Sequence, residues 1–187
     1  MRSFEEIFAI AAERHGGAAA LEAKLPKPTP ARTLKALGDD RWLAGMTRSI
    51  FQSGFSWKVI EAKWPGFEAA FKGFDVHACA AMDDAWFDRL TQDTGIVRNP
   101  IKIRTVPQNA AMLLALAQEH GKPAGHVIVD WPDADYVGLL TLLKDRGAHL
   151  GGVTGSYCLR QIGRDGFVFS KDVVARLVAE GVVEKTP

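Results

Sequence analysis

From Asp39 onward, apolar residues recur at helical spacing and almost nowhere at the alternating spacing of a strand. Trp42, Leu43, Met46, Ile50 and Phe51 belong to a helix that Asp39 or Asp40 can cap and Gly54 can end. Ile103, Val106, Ala110, Leu113, Leu114 and Ala117 share one side of a longer helix over 100–119. Pro107 inside it is expected to kink it or divide it. The same periodicity predicts helices over 4–14, 57–63, 67–72, 76–81, 83–93, 133–146, 154–162 and 170–180, with Trp64, Pro65 and Gly66 as a turn. Val127, Ile128 and Val129 interrupt the pattern and read as one short strand or an extended connector. No βαβ alternation occurs, so the expected fold class is all-α.

The 187 residues are 47% hydrophobic and 24% charged, enough apolar material for a real core. Two parts are expected. Residues 1–38 form an N-terminal helix and a Pro-rich linker packed on the main domain, and residues 39–187 form that domain. There is no apolar run of membrane-spanning length. Glu5 and Glu6 stand where a signal peptide would have basic and then apolar residues, so a cytoplasmic location is expected. Cys79 and Cys158 are too few for a disulfide framework or a four-cysteine zinc site, and Cys79 reads as buried packing. The formal net charge of +1 neither demands nor excludes a nucleic-acid partner.

Residues 51–67 set Phe51, Phe55, Trp57, Trp64 and Phe67 around two glycines and two serines. Large flat side chains beside small ones make slots for flat ligands, and their ring faces attract a cationic base. On composition alone the helical core is the stronger reading, because aromatic clusters usually pack. A second constellation lies at 133–162, where a helix, a turn carrying Gly147, Gly151 and Gly152, and another helix follow in order. Thr154 can cap the second helix, and free amides at its start suit an anion such as phosphate. Lys144, Arg146, Arg160 and Arg164 add positive charge nearby, and Arg98, Lys102 and Arg104 form a second run without acids. Asn109 either faces the same cleft or satisfies an internal hydrogen bond.

These motifs, in this order, resemble the DNA-3-methyladenine glycosylase I family. The likeness rests on Gln52 to Trp57, on Phe71 to Asp75, on Met82, and on Leu90 to Arg98. Lys102, Ile103, Asn109 and Ala110 continue it, followed by Arg146, Gly147, Gly152, Thr154, Tyr157 and Gln161 to Gly163. It covers about 40–165 and implies an all-helical, helix–hairpin–helix DNA glycosylase-like fold with its hairpin near 147–154. The implied activity is hydrolysis of the N-glycosidic bond of alkylated adenine in double-stranded DNA, the opening step of base excision repair, on a base flipped out of the stack. By position, Trp57 matches the pocket tryptophan. Phe51, Gln52 and Phe55 join it as base-binding candidates. Arg98, Lys102, Gly147, Gly151, Gly152, Thr154 and Tyr157 are the DNA-binding candidates.

The departures are equally specific. Ser49 stands where the family has a base-contacting glutamate, eight residues before the tryptophan. Glu61, Asp93 and Asp165 are the nearby carboxylates that could substitute, and Asp165 follows the hairpin helix, where related glycosylases keep an aspartate. The Cys and His partners of the family's structural zinc are not recognisable, so no metal and no cofactor is expected. Loss of the glutamate is worth roughly 1.5–3 kcal/mol, about 10- to 150-fold, and a cationic base leaves readily without strong acid assistance. The alternative expectation is a catalytically weak or inactive protein that binds DNA or a damaged base.

Overall fold

The computed structural model describes residues 2–184, among which every regular element is helical. Residues Thr29–Phe167 form the larger of two compact units, and the described residues on either side of it form the smaller. The smaller unit begins with α1 (Phe4–His15) and α2 (Ala18–Glu22). The Ser3 hydroxyl accepts from the Glu6 amide while the Glu6 carboxylate accepts from the Ser3 amide. This reciprocal cap satisfies two donors that a helix start otherwise leaves open.

In the larger unit α3 (Ala31–Lys35) is followed by α4 (Asp39–Gln52), α5 (Trp57–Ala70), α6 (Val76–Ala80) and α7 (Asp84–Gln92). Then come α8 (Pro100–His120), α9 (Ala124–Asp130), α10 (Tyr136–Arg146) and α11 (Val153–Ile162). The smaller unit resumes with α12 (Lys171–Ala179), capped by Ser170 as its sequence predicts. The core lies around α4, which packs against both α8 and α11. From α4 it takes Trp42, Leu43, Met46, Ile50 and Phe51, and from α8 Ile103, Val106, Ala110, Leu113 and Leu116. Pro107 neither ends nor divides α8, which runs as one element of 21 residues.

Two expected elements are corrected. The anticipated turn at Trp64, Pro65 and Gly66 is helix: α5 is continuous across Pro65. An internal proline costs a helix about 3 kcal/mol. Here Phe51, Trp64, Phe67, Phe71 and Phe74 form five ring pairs with centroids 4.7 to 6.3 Å apart. At about 0.5–1.5 kcal/mol a pair beyond area burial, they offset that cost. Gly66 lets the helix pass close to another backbone, since a Cβ there would strike the Gly95 carbonyl.

The second correction concerns 127–129, which lie in helix α9 and not in a strand. The Asp39 carboxylate, at the start of α4, accepts from the Ala124 and Gly125 amides at 3.0 and 2.8 Å. A cap from a distant residue overrides the local β preference of Val127, Ile128 and Val129. Val127 and Ile128 are then buried.

Arg41 ties α4 to α5. Its guanidinium donates to both Glu68 oxygens at 2.8 and 3.0 Å and to the Gly73 carbonyl at 2.7 Å. That bond braces a single 3-10 turn, Lys72–Phe74, in which all three residues have positive φ. Phe74 tolerates that backbone because its side chain is fully buried in the aromatic stack.

Candidate functional site

Two stretches of chain about a hundred residues apart, 49–57 and 153–161, line one cavity of about 280 Å³. Ser49 and Gln52 come from the last turn of α4, and Ser53 and Gly54 from the loop after it. Trp57 comes from the start of α5, and Val153, Thr154, Tyr157 and Gln161 from α11. The spacings explain the shared face: Ser49 and Gln52 are three residues apart on α4, and Tyr157 and Gln161 four apart on α11. The volume lies at the small end of ligand sites, which run from roughly 300 to 1,000 Å³.

Trp57 is half exposed, and its ring meets Tyr157 edge-to-face at 6.2 Å, so an indole and a phenol form one wall. The polar wall is an ordered set of side chains. Ser49 Oγ donates to Gln161 Oε1 at 3.3 Å, Gln161 Nε2 to Gln52 Oε1 at 3.0 Å, and Gln52 Nε2 to Glu61 Oε1 at 2.9 Å. Ser49 and Gln52 are both 4% exposed.

The expected base-binding residues therefore divide. Gln52 and Trp57 line the cavity together with Ser49. Phe51 is fully buried against Phe67 and does not line it. Phe55 is half exposed and does not line it either. Of the candidate carboxylates, Glu61 reaches the cavity wall through Gln52. Asp165 is exposed and accepts from the Gly166 amide, and Asp93 accepts from the Gly95 amide.

The expected DNA-binding residues divide as well. Thr154 and Tyr157 line the cavity, next to Gly152 at the start of α11. Thr154 does not cap that helix: Gly152 occupies the cap position, and no side chain bonds to the first turn. Gly152 adopts φ 56 and ψ −136, a backbone that favours glycine. Gly147 and Gly151 complete the turn, and Asn109 holds it from α8. Asn109, 1% exposed, donates to the Ala148 carbonyl at 3.1 Å and accepts from the Ala148 amide at 2.8 Å. Of its two possible roles, this is the internal hydrogen bond. Lys102 also turns inward. Its ammonium donates to the Ser53 and Phe51 carbonyls at 2.6 and 3.3 Å, closing the end of α4, and burial lowers its pKa. Arg98 is exposed just before α8.

Burial pushes the thiols of Cys79 and Cys158 up to about 12, so neither supplies a thiolate nucleophile near neutral pH. Ser53, Gly54, Val153 and Gln161 also line the cavity and carry no site role in the sequence reading. Gln161 lies one helical turn beyond Tyr157, and that spacing was the signal available for it.

Known proteins match the chain in both sequence and fold. The family model for methyladenine glycosylase matches residues 35–130. DNA-3-methyladenine glycosylase 1 of Escherichia coli (strain K12) is 38% identical over 72 residues, which is 38% of either chain. The chain thus aligns with well under two thirds of that curated relative. A crystal structure of 3-methyladenine DNA glycosylase I superposes with a TM-score of 0.57 at 25% identity, over 68% of this chain and 79% of that one. The Staphylococcus aureus 3-methyladenine DNA glycosylase I gives a TM-score of 0.60 at 22% identity, over 71% of this chain and 81% of that one. On the family model, which spans more than half of its residues, the chain belongs to the methyladenine glycosylase family.

Proposed function

We propose that this protein is a DNA glycosylase that releases 3-methyladenine from alkylated double-stranded DNA. The observation that carries the reading is the convergence of Ser49, Gln52, Trp57, Tyr157 and Gln161 on one base-sized cavity beside the Gly152 turn. A flipped purine needs a ring face to stack on and polar groups for its edge, and the cavity supplies both. Trp57 stacks on the base, and its ring face favours the positive charge that N3-methylation places there. Ser49, Gln52 and Gln161 meet the polar edge. The uncapped amides at the start of α11 take a backbone phosphate of the same nucleotide region.

The chemistry asks little of an acid. In N3-methylated deoxyadenosine the base already carries a positive charge. When the bond from the sugar C1′ to N9 breaks, its electron pair goes to the base, which leaves neutral. The sugar carbon becomes cationic and takes up water, and the water loses its proton to solvent. The protein's part is to hold the base out of the helix and to shield it from restacking. That division of labour is compatible with Ser49 in place of a carboxylate.

The test is release of methylated bases from alkylated duplex DNA by the purified protein. Release above background, lowered about 5- to 150-fold by Trp57→Ala, is expected from a stacking contribution of about 1–3 kcal/mol. Base binding that is abolished by Trp57→Ala without any release would identify a recognition module in place of an enzyme. No binding and no release would overturn the assignment.

A further inference from the structure

The three hydrogen bonds along the polar wall all point the same way, and a carboxylate stands at their end. Glu61 lies one turn after Trp57 on α5, half exposed, and its Oε1 also meets Arg48 Nε at 3.6 Å. Arg48 is in turn seated over the Trp64 ring at 4.1 Å. An ionised carboxylate can only accept hydrogen bonds, so Gln52 must turn its NH₂ towards Glu61. Its carbonyl oxygen then faces Gln161, which must donate, leaving the Gln161 carbonyl to accept from Ser49. Each amide has one orientation only because the next one does. Cys158, beside Ser49, is held neutral by burial, and a neutral thiol is too weak an acceptor to divert the hydroxyl proton.

We propose that Glu61 is a positioning residue that sets the hydrogen-bond polarity of the cavity through Gln52 and Gln161, making Ser49 an acceptor towards the bound base. The inference rests on the base-binding reading above. With its only proton given to Gln161, Ser49 Oγ offers lone pairs to the cavity. Gln161 keeps a second N–H beside it. An acceptor next to a donor matches an adenine edge, where an exocyclic amine adjoins a ring nitrogen. It opposes a 6-oxo purine, whose carbonyl would face the Ser49 lone pairs. Glu61 does not touch the base. It acts over three hydrogen bonds, and so its removal alters which base is preferred more than how well any base stacks.

Glu61→Gln tests this, because the new amide can present either end to Gln52 and the direction of the chain is lost. Glu61 is half exposed, so the variant keeps the fold, and its backbone NMR spectrum checks that. Two readouts are expected to change. The side-chain NH₂ resonances of Gln161, which does not contact Glu61, shift in the variant. The ratio of affinities for free 3-methyladenine over free 3-methylguanine falls about tenfold, with the loss mostly on the adenine side. An unmoved Gln161 resonance, or a shifted one with the affinity ratio unchanged, overturns the proposal. If the wild-type protein binds neither base while the Gln161 resonance still shifts, the directed chain stands and the substrate reading is what fails.

Discussion

At the scale of single residues, the ion pair between Arg41 and Glu68 has the clearest consequence for pH. Hydrogen bonding from Arg41 holds the Glu68 carboxyl below its ordinary range, with Trp64 Nε1 donating to the same group. The folded-state pKa is therefore lower than the unfolded one. The pair's stabilisation is fully present above the unfolded glutamate pKa, about 4.3, and is lost as pH falls through the folded value. Because both side chains are roughly a third exposed, solvent screens them, and Glu68→Gln should cost only about 1 kcal/mol at pH 7. Urea unfolding at pH 7 and pH 3 checks this. The difference from wild type should shrink at the lower pH, whereas an equal loss at both would place the effect elsewhere. Residue chemistry of this kind is poorly legible in sequence: Arg41 and Glu68 lie 27 positions apart, and nothing in their neighbours marks them as partners.

At the scale of elements, α9 shows how tertiary contacts overrule local preference. Its β-branched run invites a strand, yet Asp39 caps it across 85 positions and Gly125 lies against Trp42 with no room for a Cβ. Asp39→Ala should destabilise the protein by about 1–2 kcal/mol, since it removes a charged acceptor from two helix-start amides. Hydrogen exchange localises the effect: α9 amides should exchange faster while those of central α8 change least. A uniform loss of protection would mean that the cap serves the whole core. The other helices of the larger unit were largely readable. α4, α7, α8 and α11 fall within a residue or two of their predicted bounds because each carries an apolar face and a recognisable cap or stop, whereas α10 begins three residues later than predicted, after a 3-10 turn at Asp133–Asp135. The sequence pattern divides α5 into two pieces because its proline is visible there and the aromatic stack that outweighs it is not.

For the whole molecule, the decisive quantity is where the charge goes. The two basic runs carry seven cations in sequence. The fold engages several of them. Lys102 closes α4, Arg104 lies over the Phe87 ring, and Arg146 pairs with both oxygens of Glu119. Arg164 is buried between the Trp131 carbonyl and Asp133. Arg98, Lys144 and Arg160 remain exposed. With about three phosphate contacts, the logarithm of DNA affinity should fall against the logarithm of salt with a slope of about −3, compared with about −6 if all seven took part. Fluorescence anisotropy with a short duplex at several salt concentrations measures it. A slope steeper than about −5 would show that the internal pairs open on DNA.

The sequence by itself determined the helical class, most helix bounds, and the order of motifs that points to the family. These depend on periodicity and caps, which act within a few residues of each other. It also brought forward Trp57, Gln52 and Ser49 as one candidate group. Only the tertiary structure decided that Trp57, Tyr157 and Gln161 share a cavity while Phe51 belongs to the core. The same is true of Glu61, whose link to Ser49 passes through residues from three helices. A side chain's helical face can be read from local spacing, but what that face meets depends on how distant helices pack, and hydrogen-bond direction depends on every partner along the chain of bonds.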